Sequence, residues 1–254
     1  MKIIDNKYYI IRTGDFATNA NKKIIYSLLG LGLCALDYME NGTLEYSKLM
    51  IGSSILWTFV EYVLNNQQIR VIKPMSIVFN GNTYIVNKYI GICLQGIQEG
   101  GAVSIIGLYF GDRFFSFYYQ ICYHILILYM VTNMMTKKSN LKVLSKRQVN
   151  TPGSLFFMTT ISLWNVMVVY YHPNHMYREF NMFLSMTYIS GIWSIVSYYK
   201  QFRQVEVHIK QNDLYHTKNT TWKDGLFILG YDVFFEIGIA YITFYNLFVV
   251  FSIL

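Results

Sequence analysis

The sequence predicts an all-α fold: a polytopic transmembrane bundle of about seven helical spans, with a cytoplasmic N-terminus and an outward C-terminus. Three observations predict it. Only 14% of the 254 residues are charged and 54% are hydrophobic, whereas roughly a quarter of an average soluble domain is charged. The apolar residues gather into long runs, and lysine and arginine fall almost entirely on alternate connections between those runs. A soluble fold solvates its surface with charge, so a deficit of this size assigns much of the surface to lipid.

Residues 1–22 read as a polar, cytoplasmic N-terminal segment, with Asp5 and Asp15 ahead of the first apolar run and no small-residue cleavage site. The first span then serves as the insertion signal. A helix crossing the hydrocarbon needs about 20 mostly apolar residues. Seven stretches come near that length, 23–39, 46–65, 89–111, 114–135, 154–172, 180–199 and 225–250, and together they define a transmembrane domain over 23–254. The 66–88, 136–153 and 200–224 connections are polar, and Asn80-Gly81-Asn82 is a turn signal. Tyrosine pairs at 118/119, 170/171 and 198/199 stand where apolar runs begin or end, the place for a ring in the headgroups and a hydroxyl in water.

Orientation follows from basic residues, which are retained on the cytoplasmic side. Eighteen of the 21 lysines and arginines fall on one side of the seven-span arrangement; Lys48, Arg113 and Arg178 alone fall on the other. This asymmetry accounts for the net charge of +7 without a nucleic-acid partner. It also leaves one face able to attract anionic lipid from the bilayer. The sequon Asn41-Gly42-Thr43 lies on the outward side, in a loop too short to hold it clear of the membrane, and Asn219-Thr220-Thr221 lies on the inward one. Cys34, Cys93 and Cys122 lie inside apolar runs with no metal or redox spacing, so they read as small buried hydrophobes.

Ionisable groups inside spans are costly, roughly 2.5–3.5 kcal/mol each on insertion scales. Glu61, Glu99, Asp232 and Glu236 occupy such positions, with His124 the one titratable base at comparable depth. Asp232 and Glu236 are four apart, on one helix face. No lysine or arginine lies at that depth to neutralise them, so they must be protonated, hydrated, hydrogen-bonded or bound to a cation. One reading is a proton or cation path, or a carboxylate-rich metal site. The other is structural: Glu61 and Asp232 reach the interface while Glu99 and Glu236 hydrogen-bond to neighbours such as Gln95 or Asn165. His124 alone reads as a packed histidine.

Gly96/Gly100 and Gly107/Gly111 form small-xxx-small pairs that permit close helix approach, and Gly100-Gly101 beside Glu99 is also a place where a helix can loosen. His172-Pro173-Asn174-His175 reads as a polar turn, without a carboxylate spaced to complete a metal site. The last span has no lysine for a retinal Schiff base. Walker A, GxSxG and HExxH motifs are absent, which argues against an ATPase, a serine hydrolase of that type and a zinc protease, and no cofactor is evident.

The stretch Trp57-Thr58-Phe59-Val60-Glu61-Tyr62-Val63-Leu64, followed by Arg70-Val71-Ile72-Lys73-Pro74, resembles the start of the fatty-acid hydroxylase superfamily. The resemblance covers under a tenth of the chain. It implies a lipid-modifying membrane enzyme whose histidines hold a di-metal centre, but Asn65, Asn66, Gln67 and Gln68 stand where those histidines belong. The oxygenase chemistry would then be lost or replaced. Three functions follow from the sequence: a proton- or cation-linked transporter or channel using the buried carboxylates, a lipid-modifying enzyme on a hydroxylase-like scaffold, or a non-catalytic membrane scaffold. Oligomeric state and substrate leave no sign in it.

Overall fold

The computed structural model describes residues 6–13, 19–66, 74–137, 143–212 and 214–253. Within them, helices alternate with two antiparallel sheets. In chain order the elements are β1 (Lys7–Thr13), α1 (Ala20–Asn41), α2 (Glu45–Asn66), β2 (Ser76–Phe79), β3 (Asn82–Ile85) and α3 (Lys88–Gln95). A π-helical stretch, Gly96–Ala102, leads into α4 (Val103–Asp112), followed by α5 (Phe117–Met135), β4 (Val143–Gln148) and α6 (Pro152–Tyr171). A short 3-10 turn, Pro173–His175, precedes α7 (Met176–Tyr199), β5 (Arg203–Gln211), β6 (Leu214–Lys218) and α8 (Trp222–Gly230). A second π-helical stretch, Tyr231–Ile239, continues into α9 (Ala240–Val250).

The all-α, seven-span, multi-pass reading is overturned. The strands β4, β5 and β6 occupy segments read as polar connections and β1 lies in the polar N-terminal segment, and among the described residues two helices, not seven, are long and apolar enough to cross a membrane. These are Pro152–Tyr171, of mean hydropathy 1.4, and the continuous Trp222–Val250, of mean hydropathy 1.8. The other apolar stretches are diluted. The α1 helix holds Lys22, Lys23, Asp37 and Glu40, and α5 holds Gln120, His124 and Asn133. The orientation deduced from seven alternating sides falls with the span count.

The chain divides into two compact units. The first comprises Met1–Gly14, Ile121–Tyr171 and Met186–Ala240. Its sheet runs in the order β4-β1-β5-β6, so the N-terminal strand is an interior one. The alternation that builds β5 is plain: Val205, Val207 and Ile209 point one way while Gln204, Glu206, His208 and Lys210 point the other. Tyr8 lies opposite Val207, and Ile10 opposite Val205. With Val149, they pack against Met158 and Ile161 of α6 and against Ile228 and Tyr231. Thr221 and Asp224 start α8 with reciprocal hydrogen bonds: the Thr221 N–H donates to Asp224 Oδ2 at 2.8 Å, and the Asp224 N–H to Thr221 Oγ1 at 3.4 Å.

The second unit comprises Asp15–Gln120, His172–Ser185 and Tyr241–Leu254. The Asn19 side chain caps α1 by accepting from Lys22 N–H, and Gly42, at φ +69°, ends it in the left-handed conformation that glycine adopts without strain. Asn80 and Gly81 both have positive φ and join β2 to β3 as a two-residue hairpin, so the turn signal at Asn80-Gly81-Asn82 marks a small sheet. The π-helical stretch lies tightly against α2. A Cβ on Gly96 would stand 1.9 Å from Thr58 Oγ1, and one on Gly100 2.4 Å from the Trp57 Cβ. Only glycine permits that approach.

Candidate functional site

Each unit carries a buried or half-buried cluster of charge. In the first unit the sheet register assembles three arginines. Arg12 of β1 stands directly opposite Arg203 of β5, and Arg147 of β4 is opposite Ile10, two residues before Arg12 and so on the same face. Across from this face run Asp232 and Glu236 of the π-helical stretch. Arg203 forms a buried ion pair with Asp232, and Arg147 pairs with Glu236. Ser194 Oγ donates to Asp232 Oδ2 at 3.3 Å, and the Arg203 guanidinium lies 4.3 Å from the Trp193 ring centroid.

Burial works against the Arg203 charge, and Arg12 and Arg147 add repulsion, pulling its pKa below the usual arginine range while Tyr198 and Glu236 oppose them. Arg203 Nε and the Tyr198 hydroxyl are buried and make no hydrogen bond. The expectation that no cation faces Asp232 and Glu236 is therefore corrected. The cations come from strands, not from neighbouring spans, which is why a search along apolar helices does not find them.

In the second unit four carboxylates meet two arginines, and a fifth, Glu179, stands next to one of them in sequence. Arg113 Nη2 lies 3.1 Å from Asp37 Oδ1 and 2.5 Å from Glu40 Oε2, with the guanidinium 3.8 Å from the Tyr109 ring centroid. Arg178 makes a forked contact with Asp112, Nε to Oδ1 at 2.9 Å and Nη2 to Oδ2 at 2.8 Å, and its Nη1 pairs with Glu45. Tyr46 links the two arginines by donating to Asp112 Oδ2 at 2.5 Å and accepting from Arg113 Nη1 at 3.3 Å. Tyr119 donates to Glu40 Oε1 at 2.8 Å. Both arginines are half-buried, yet hydrogen bonds to these acids hold their pKa above the ordinary value.

Glu179, one residue on from Arg178, is the fifth acid. It is 4% exposed and accepts from Asn246 Nδ2 at 3.1 Å, while its Oε1 is buried without a hydrogen bond. Burial pushes its carboxyl up to about 7, against the opposing pull of Asn246. Nearby His175 pairs through Nδ1 with the Tyr245 hydroxyl at 2.8 Å, and burial followed by the Arg178 charge lowers its pKa. The His172–His175 segment is thus a 3-10 turn with one histidine engaged to a tyrosine.

The other sequence-predicted positions are dispersed. Glu61 is fully buried on α2. Glu99 lies in the Gly96–Ala102 stretch, where its Oε2 accepts from Trp57 Nε1 at 3.4 Å and its carbonyl from the Tyr241 hydroxyl at 2.5 Å. His124 is exposed, with Nε2 3.1 Å from the Tyr188 hydroxyl. Glu61 and Glu99 belong to the second unit, and His124, Asp232 and Glu236 to the first. The acids at 40, 45, 112 and 179 flank the apolar runs and Asp37 stands at the edge of the first, so none of them interrupts a run. A faint signal existed in Asp37 and Glu40, spaced to share a helix face.

Among the described residues, no group of three His, Cys, Asp or Glu side chains stands together as a metal site. Residues 67–73, where the hydroxylase-like stretch continues, lie outside the described residues. No protein-family model, characterised protein or solved structure matches this chain.

Proposed function

We propose that this is a membrane-embedded protein that links proton binding at the acid-rich cluster of the second unit to movement of protons or cations across the bilayer. Residence in lipid is supported by the outer faces of its helices. Of the best apolar window in Pro152–Tyr171, 17% is buried, whereas the core helix of a soluble domain is mostly covered. Phe156, Leu163, Val166 and Tyr170 are left outside. In water this surface would associate or aggregate; in hydrocarbon it is solvated.

The observation that carries the proton reading is Glu179. Four carboxylates share two arginines, so the cluster holds more acid than those arginines neutralise even before Glu179 is counted. The acid left without an arginine is the one buried against an amide. A carboxyl in that position binds and releases a proton near neutral pH, and each release adds a negative charge that a proton or another cation then balances.

The test is flux. Reconstituted wild-type protein should dissipate an imposed pH gradient faster than empty vesicles, and Glu179→Gln, which keeps the shape and hydrogen bonding of the protonated acid, should abolish the difference. Wild-type vesicles no leakier than empty ones, or an unchanged rate in Glu179→Gln, would overturn the proposal.

A further inference from the structure

In the second unit the β2–β3 hairpin carries large apolar side chains outward on both of its faces. The register sets Val78 against Thr83 and Ser76 against Ile85 on one face, and Phe79 against Asn82 and Ile77 against Tyr84 on the other. Ile77 packs on Ala20, Met75 and Val86 and so roots the hairpin. Beyond that root Val78, Phe79, Tyr84 and Ile85 are exposed, Phe79 by 65% and Ile85 by 79%. Tyr89 and Ile90 at the start of α3 are exposed as well. An isolated two-stranded hairpin is marginal in water, and so dense a set of outward apolar side chains marks a contact surface.

The first residues of α1 fix the hairpin in place. Asn21 Nδ2 donates to the Val78 carbonyl at 2.9 Å, the Val78 N–H donates to Asn21 Oδ1 at 2.8 Å, and Asn19 bridges Ser76. The outer edge of β2 is thereby taken, and a further strand does not join there. Ile25 and Leu28 follow Asn21 on the same α1 face at i+4 and i+7, both exposed, and a Cβ on Gly32 at i+11 would meet nothing within 4 Å. The apolar surface thus runs on from the hairpin along the helix. The nearby Lys23 turns inward, 6% exposed, with its Nζ 3.2 Å from Gln98 Oε1.

Three properties favour a lipid surface over a protein as the partner. A rigid partner covers one face of a hairpin, whereas a fluid lipid layer wets both. Tyr84 and Tyr89 each join a ring to a hydroxyl, which suits the headgroup boundary. Residues 62–98 hold Arg70, Lys73 and Lys88 and no carboxylate, so the segment attracts anionic headgroups. Depth is limited too. Among the described residues β3 pairs with β2 alone, and its other edge presents backbone polar groups that the hydrocarbon interior would leave unsatisfied.

We propose that the β2–β3 hairpin rests at the headgroup boundary of a bilayer containing anionic phospholipid, with Phe79 and Ile85 reaching the upper acyl chains from its two faces. The exposed tip, Asn80-Gly81-Asn82, stays among headgroups and water. This contact requires the residence in lipid proposed above and does not require proton movement at Glu179.

The test uses the full chain in vesicles of phosphatidylcholine and phosphatidylglycerol. Phe79→Trp and Ile85→Trp each add a reporter ring, whose emission is read as the difference from wild type; Tyr215→Trp, at an exposed position of β6, is the control. Phosphatidylcholine brominated near the headgroup end of its chains should remove most of the added emission at both hairpin positions. Lipid brominated near the chain ends should remove less, and neither should quench the control. Added emission that no brominated lipid quenches, whether water-exposed or blue-shifted under a protein partner, would overturn the proposal, as would stronger quenching from the chain ends or equal quenching of the control. A chain that floats with vesicles but shows no quenching rejects the hairpin contact alone. One that does not float with them rejects residence in lipid as well.

Discussion

The two charged clusters solve the same problem in different ways. In the second unit the charge lies at helix ends: Asp37 and Glu40 near the end of α1, Glu45 at the start of α2, Asp112 and Arg113 at the end of α4, and Arg178 and Glu179 at the start of α7. Each arginine there takes two carboxylates and keeps some contact with solvent. In the first unit a sheet holds the cations, its register fixes their spacing, and one pair, Arg203 and Asp232, is almost wholly withdrawn from water. A helix-end cluster adjusts by rotating long side chains. A strand-borne pair held under a ring and a helix has no such freedom, so loss of one partner costs more there.

Three tests break or sharpen that comparison, beginning with the largest expected effect. Arg203→Met should destabilise the protein by about 3–5 kcal/mol, since it strands a buried carboxylate. Adding Asp232→Leu should recover most of the loss, because two apolar residues of similar volume suit a buried site as well as the ion pair does. Thermal unfolding of the single and double variants in detergent reads both steps. A single variant no less stable than wild type would show that the pair is not held away from water.

The second effect belongs to the helix-end cluster and depends on pH. The folded protein holds the Glu179 carboxyl up at about 7, above its ordinary value of 4.5, so folding favours the protonated form. Its contribution is fully present below the unfolded pKa and is lost as pH rises through the folded one. Stability should fall between about pH 4.5 and 7, by on the order of 1–3 kcal/mol. Glu179→Gln should remove that slope. Equal slopes in the two proteins, measured by chemical unfolding across the window, would exclude a buried proton at this position.

Much of the helical part of this architecture was legible and the sheet was not, for a physical reason. Runs of apolar residues longer than a turn register in any average over twenty positions, so helices appear where the sequence puts them. In Arg203–Gln211 the apolar residues alternate with Gln204, Glu206 and His208, and the same averaging cancels the signal to that of a polar loop. Read at period two, Val205, Val207 and Ile209 announce a half-buried strand. The Asn80-Gly81 turn was visible, but its hairpin has four-residue strands that no average detects. The candidate site failed in the same manner. Asp232 and Glu236 were recognisable as costly, yet their partners Arg203 and Arg147 lie 29 and 89 residues away on strands, and pairing between a helix and distant strands leaves no local trace.

The smallest expected effect lies on the reverse face of that same sheet, and it isolates what burial contributes. Lys146 Nζ is 2.5 Å from Glu206 Oε1, and His208 contacts the same carboxylate, with the lysine side chain 39% exposed. Hydrogen bonds from His208 and Lys146 hold the Glu206 pKa below its usual value. Water reaches these groups, though, and screens the attraction, so Glu206→Gln should cost no more than roughly 1 kcal/mol. This pair shares β5 with Arg203, but it joins two strands, whereas Arg203 pairs with Asp232 of the π-helical stretch, and it lies nearer to water. If Glu206→Gln proved as damaging as Arg203→Met in the same unfolding measurement, the distinction between a buried and a solvated ion pair would fail for this sheet.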